Sequence, residues 1–160
     1  MVYCYIDGMA IYRLEKSQLL PIGLDEAWKF FSNPRNLKEI TPPSLGLRLK
    51  DDTELPDEIY PGLMIEYSVT PLLGIRSTWL TEITHIQAPN YFVDEQRLGP
   101  YSLWHHEHHL VSTPNGVEIR DLIHYKVPFG PLGWLMNRLV IQRQLEEIFL
   151  YREKRMNELF

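Results

Sequence analysis

Six stretches between Leu45 and Val127 alternate apolar and polar residues at a period of two, and beyond Pro131 the period changes to that of a helix. The stretches are 45–50, 63–70, 75–86, 91–98, 101–111 and 117–127. Short turns separate most of them, at 71–74, at 88–90, at Gly99 with Pro100, and at 114–116, so an antiparallel meander is the economical topology. The linker 51–62 is longer. A seventh strand is expected at 11–20, ending at Pro21. Asp25 then opens a short helix through Phe31, and Asn33 with Pro34 marks the cap and first turn of a second one that stops before Pro42 and Pro43. Near the C-terminus Ile141, Leu145, Ile148, Phe149, Arg152, Met156 and Leu159 fall on one helical arc. A helix from Leu132 to the end, roughly 40 Å long at 1.5 Å per residue, has only the sheet to pack on. The expected fold is α+β, a curved antiparallel sheet of about seven strands around a long C-terminal helix.

The chain has 160 residues, 44% of them hydrophobic, enough for one domain with its own core, so 1–160 is read as a single domain with 1–10 as an N-terminal extension. Cys4 is the only cysteine, which excludes an internal disulfide and fits a reducing cytoplasm. No apolar run approaches the ~20 residues of a membrane span, so no stable membrane insertion is expected. A formal charge of −5 argues against nucleic acid as a partner.

Charges assign each strand a face. Glu118, Arg120, His124 and Lys126 must be solvated, which turns Val117, Ile119, Asp121, Ile123 and Tyr125 inward. The same test places Phe92, Asp94, Gln96 and Leu98 inside on one strand, and Ile65, Tyr67, Trp79 and Ile83 on two others. On 101–111 the row Trp104, His106, His108 is chosen over Leu103, His105, Glu107, with Asp94 set beside His106 across the hairpin. The inner wall thus collects Tyr67, Trp79, Asp94, Gln96, Trp104, His106, His108, Asp121 and Tyr125, the candidate ligand-binding residues. An unsatisfied buried polar group costs roughly 1–3 kcal/mol, so these groups either satisfy one another across strands or line a ligand-accepting cavity.

In a meander every second turn lies at the same end, which gathers Leu72, Leu73, Leu98, Phe129 and Trp134 on one apolar rim. Such a rim marks a cavity mouth, or a surface for a protein partner or for self-association. Acid–base chemistry, were the protein an enzyme, would fall to Asp94, His106 and Tyr125. His106 and His108 could reach one metal ion together with Asp94 or Asp121, but alternation alone does not make three ligands converge, and neither a metal nor a cofactor is expected. Arg152 sits in the apolar arc, where an arginine more often lays its stem on apolar surface and sends its head outward.

The chain resembles the SRPBCC superfamily, the START-like helix-grip domains that include polyketide cyclase/dehydrase relatives, and specifically a bacterial-type branch. The resemblance rests on Leu20-Pro21, Asp25 to Phe31, Asn33-Pro34, Asn36-Leu37 and Ile40 to Pro43, then on Phe92 to Gln96, Gly99 to Tyr101, Trp104 with His106 and His108, and Pro128 to Gly133. It implies a cavity between sheet and C-terminal helix that takes a small hydrophobic or amphipathic molecule. Three functions follow: a non-catalytic binder, which is preferred; a cofactor-independent cyclase or dehydratase using the same cavity; and a regulatory interaction module.

Overall fold

A computed structural model describes residues 3–6, 9–50, 55–72 and 75–160, with side chains from Ile11 onward except at 71 and 72. The sheet has eight antiparallel strands, β1 (Tyr3–Ile6), β2 (Met9–Leu20), β3 (Arg48–Leu49), β4 (Met64–Leu72), β5 (Ile75–Gln87), β6 (Tyr91–Leu98), β7 (Leu103–Thr113) and β8 (Gly116–Lys126). Their order is β1-β2-β8-β7-β6-β5-β4-β3. From β3 to β8 this is the expected meander, with β2 closing onto β8. The expected strands are all present, and β1 is an additional one: part of the segment read as an extension pairs with the start of β2, Tyr3 opposite Tyr12. The strand expected at 45–50 shrinks to two residues because Pro43–Leu45 forms a 3₁₀ turn that ends on Gly46 in the left-handed region.

Helix α1 (Leu24–Phe31) and a 3₁₀ helix (Pro34–Ile40) follow β2, the latter capped by the Asn33 side chain, which accepts from the Arg35 N–H at 3.0 Å. Arg35 then holds the segment after the long linker, donating to the carbonyls of Leu55 and Pro56 and pairing with Asp57. Trp28 Nε1 donates to Glu58 Oε1 at 2.7 Å. These bonds fix Ile59 and Leu63 in the core under the short helices.

The C-terminal helix begins at Gly130, two residues before the expected start. It is interrupted, running as α2 (Gly130–Met136), a π-helical stretch at Asn137–Ile141, and α3 (Gln142–Leu159). Wide turns of this kind commonly re-aim a side chain. Here buried Asn137 accepts the Tyr125 hydroxyl at 3.0 Å. Along α3 the buried residues Leu145, Phe149, Arg152 and Met156 follow the 3–4 spacing of one face, and the curved sheet grips that face.

Two irregularities in the β5–β6 pairing, between Leu80 and Thr81 and between Ile83 and His85, shift the register. Phe92 and Val93 are both buried, Val93 on the outer face opposite Glu107, where alternation places it with Glu95 and Arg97.

Gly116, in the β7–β8 turn, has φ +132°, and a Cβ there would stand 2.0 Å from the Leu20 carbonyl oxygen. Gly116→Ala is expected to lower the urea midpoint by the equivalent of more than about 1 kcal/mol, read in an equilibrium unfolding titration.

Candidate functional site

Strand register builds the site. Asp94 on β6 lies opposite His106 on β7, and His108 lies opposite Asp121 on β8, so the period of two stacks two imidazoles between two carboxylates. The imidazole centroids are 3.8 Å apart, and the far face of His108 stacks on Phe92 at 4.1 Å. His106 Nε2 meets Asp121 Oδ1 at 2.8 Å and its Nδ1 is 3.4 Å from Asp94 Oδ2. His108 Nε2 meets Asp94 Oδ2 at 2.6 Å, while its Nδ1 is 3.2 Å from Asp121 Oδ1, too poorly aligned for a hydrogen bond.

From α3, Arg152 reaches down and donates through Nη1 to Asp121 Oδ1 at 3.0 Å, its guanidinium 5.0 Å from the Phe149 ring centroid. This corrects the outward expectation for Arg152, which is only 7% exposed. The sheet curves up around α3, and a buried Asp121 that would otherwise be an uncompensated charge fixes where the guanidinium goes.

The carboxylates and cations of the cluster compensate one another. Burial alone would raise Asp121, but Arg152 and then both imidazoles outweigh it and hold the carboxyl well below its ordinary value. Asp94 is likewise lowered, burial being outweighed by His106 and His108. Burial, together with the charge of His108, lowers His106. His108 goes the other way: burial opposes its protonation, but its contacts with Asp121 and Asp94 prevail and raise it. These directions favour ionised carboxylates at Asp94 and Asp121 beside the Arg152 guanidinium, and of the two imidazoles they favour a proton on His108 over one on His106.

This cluster forms one wall of a cavity of about 200 Å³ between the sheet and α3. Tyr67, Trp79, Asp94, Trp104, His106 and His108 all line it, as the inward faces require, together with Arg152. Ile65, Val69, Ile83, Phe92, Leu145 and Phe149 make the remainder largely apolar. Burial raises Tyr67, with a contribution from Asp94, so its phenol stays neutral.

Three candidates face inward without lining the cavity. Gln96 is occupied by the neighbouring turn, donating to the Tyr101 carbonyl at 2.6 Å and accepting from the Tyr101 N–H at 3.2 Å. Tyr125 gives its hydroxyl to Asn137. Asp121 lies behind the two imidazoles and faces Arg152.

Among the rim candidates, Leu98, Phe129 and Trp134 are exposed, Phe129 by 77%, but none lines the cavity. That end is filled by an aromatic cluster, Trp79 against Trp104 at 5.2 Å and against Tyr101 at 5.8 Å, with Tyr101 edge-on to Tyr125. Leu73 and the Leu72 side chain lie outside the described residues. Half-buried lining residues occur instead on the short helices, at Asn36, Leu37 and Thr41, and facing them on α3 at Gln144 and Ile148. Tyr101 and Gln144 are lining residues that strand alternation did not select, because they lie in a turn and on a helix, while Thr81 shares the inward face of Trp79 and Ile83 without being among the candidates.

No family model matches the sequence, and no curated protein matches it. Solved structures do. A START superfamily protein from Mycobacterium smegmatis superposes with TM-score 0.67 at 13% identity, over 92% of this chain and 99% of that one. The di-domain ARO/CYC StfQ from the steffimycin biosynthetic pathway gives 0.64 at 12%, over 94% of this chain and 52% of its own. TTHA0849 from Thermus thermophilus gives 0.63 at 14%, over 92% and 99%. The fold is START-like. Within this helix-grip fold the ionic cluster sits on the gripping face of the sheet, where it meets α3. No helix among the described residues is long and apolar enough to cross a membrane.

The cluster dictates a pH profile for stability. His106, lowered on folding, withdraws stability as the pH falls below about 6.5, and the lowered Asp94 and Asp121 withdraw more below about 4. His108, raised on folding, contributes stability that is lost as the pH rises through its folded value above about 6.5. Urea midpoints should therefore be highest near neutrality and fall on the acid side; a midpoint that does not change from pH 4 to pH 8 would contradict this ionisation pattern. Arg152→Met, which strands the Asp121 charge, should cost about 3–5 kcal/mol in the same assay.

Proposed function

We propose that this protein binds a small hydrophobic or amphipathic molecule in the cavity between the sheet and α3, with the wall of Asp94, His106, His108 and Arg152 orienting a polar group of that molecule. The observation that carries the reading is the pairing of an apolar cavity of about 200 Å³ with one ionic wall. An apolar cavity of ~150 Å³ already takes a benzene-sized guest. An occupant of one or two rings is in scale, with apolar burial supplying affinity and the polar wall supplying orientation.

The alternative is cofactor-independent acid–base catalysis in the same cavity, of the cyclase or dehydratase kind. It is supported by a neutral His106 held by Asp121 and lining the cavity beside Asp94. It has to proceed without Tyr125, whose hydroxyl is given to Asn137, so a phenol in that chemistry would be Tyr67 or Tyr101. A protein partner or a second copy would instead use the exposed Leu98, Phe129 and Trp134.

Native mass spectrometry of the purified protein, followed by titration with one- to three-ring aromatic compounds under Trp fluorescence, tests the binding reading. The expected result is a co-purified organic compound or 1:1 uptake of a probe, with Trp79 and Trp104 reporting. Ile148→Trp, which fills a half-buried part of the lining, should weaken uptake at least tenfold with little change in thermal midpoint. A protein that takes up no probe and carries no compound would sink the proposal.

A further inference from the structure

One carboxylate oxygen stands behind both imidazoles. Asp121 Oδ1 is 2.8 Å from His106 Nε2 and 3.2 Å from His108 Nδ1, and Arg152 pins the same oxygen from the far side. An ionised carboxylate only accepts, so His106 Nε2 carries hydrogen, as does His108 Nε2 where it meets Asp94 Oδ2. The lone pair of neutral His106 then falls on Nδ1, and that of His108 falls on Nε2 once the hydrogen bridging it to Asp94 is lost. Both face Asp94 Oδ2, at 3.4 Å and 2.6 Å. Without that hydrogen, three electron-pair donors face one place and repel unless a cation stands among them.

That is the arrangement of a metal site with its supporting shell, in which a ligating histidine gives its other N–H to a carboxylate that fixes tautomer and ring angle. One donor atom from each of Asp94, His106 and His108 lies within 4.8 Å of the other two. Ligands about 2.0–2.2 Å from a tetrahedral zinc ion stand roughly 3.3–3.6 Å apart, so the 3.4 Å edge already fits and the 2.6 Å edge has to open by somewhat under about 1 Å. All three residues line the cavity, so a coordination position is left on the cavity side.

We propose that Asp94 Oδ2, His106 Nδ1 and His108 Nε2 form a three-ligand site for a divalent transition-metal ion, zinc or ferrous iron by donor type, with Asp121 as the shared outer acceptor. The ion takes the place of the hydrogen that bridges His108 and Asp94, which leaves to solvent. With Asp121 neutralised by Arg152, the inner ligands present the ion with a single negative charge. The site is independent of any organic occupant, because its ligands are all protein atoms.

The test uses metal alone. Chelator-stripped protein is titrated with Zn²⁺ by calorimetry and with Co²⁺ by visible absorption, which reports nitrogen and oxygen coordination directly. The expected result is saturable 1:1 binding, weakened more than 100-fold by Asp94→Asn or His108→Gln. The paired change Asp121→Asn with Arg152→Met, which preserves charge balance, should weaken it only 10- to 100-fold. Thermal melts identify any variant that has not folded, and the wild-type titration does not depend on them. His105→Ala with His109→Ala, on the outer face where His105 meets Glu95 and His109 meets Glu107, should leave binding unchanged. No saturable binding up to millimolar metal, or binding lost in the outer-face variant and kept in Asp94→Asn, would overturn the proposal. Neither outcome bears on uptake of an aromatic probe.

Discussion

Asp121 is the group around which the rest of the molecule is arranged. It is almost fully buried, and a carboxylate so placed must be compensated or it destabilises the fold by several kcal/mol. Its compensation is spread over separate pieces of chain, His106 and His108 from β7 and Arg152 from α3. The requirement therefore works as a clamp. It specifies which residue of the long helix faces which strand, and a helix shifted by one turn along the sheet would leave Arg152 unpaired and Asp121 with the imidazoles alone. Apolar packing of Leu145, Phe149 and Met156 is far less particular about register, because dispersion and burial are non-directional.

The clamp also explains why the space beside it stays open. A charged wall cannot be covered by aliphatic side chains without desolvating groups that have already used much of their hydrogen-bonding capacity. Meanwhile Trp79, Tyr101 and Trp104 fill one end of the sheet, and the short helices tied down through Asn33 and Arg35 stand over the other lining residues. What lies between is a volume with apolar sides and one ionic face. Because carboxylates and cations on that face compensate one another, it supplies direction to an occupant through hydrogen bonds more than it selects for an occupant's charge.

Much of this was legible in the residues because a β-strand has an exact side-chain period. Once Glu118, Arg120 and Lys126 are sent to solvent, Asp121 has no choice but to face in, and hairpin geometry brings Asp94 to His106. The illegible parts are those that depend on something other than alternation. Arg152 looks the same in sequence whether its head reaches out or in, and only the placement of α3 over Asp121 decides. Gln96 and Tyr125 do face inward, but partners outside the strand pattern take up their polar groups: the backbone of Tyr101, in a turn, and Asn137, in a π-helical turn that no apolar periodicity announces. Leu98, Phe129 and Trp134 on the apolar rim are exposed, Leu98 despite the inward face that alternation assigns it, and exposure at one end of a sheet does not say at which end a cavity reaches the surface.

The same two carboxylates and two imidazoles support three different uses, and the physical difference between them is what occupies the space between Asp94 Oδ2 and the near nitrogens. With a proton there, the cluster is a closed ionic network whose role is to register α3 on the sheet and orient a guest. With that proton passed to a guest, Asp94, His106 and His108 serve as acid and base, since all three line the cavity while Asp121 is held behind. With a metal ion there, the network keeps its architecture and gains a Lewis acid at the cavity wall. Asp121 and Arg152 are common to all three, which separates the part of the cluster that makes the fold from the part that faces the ligand.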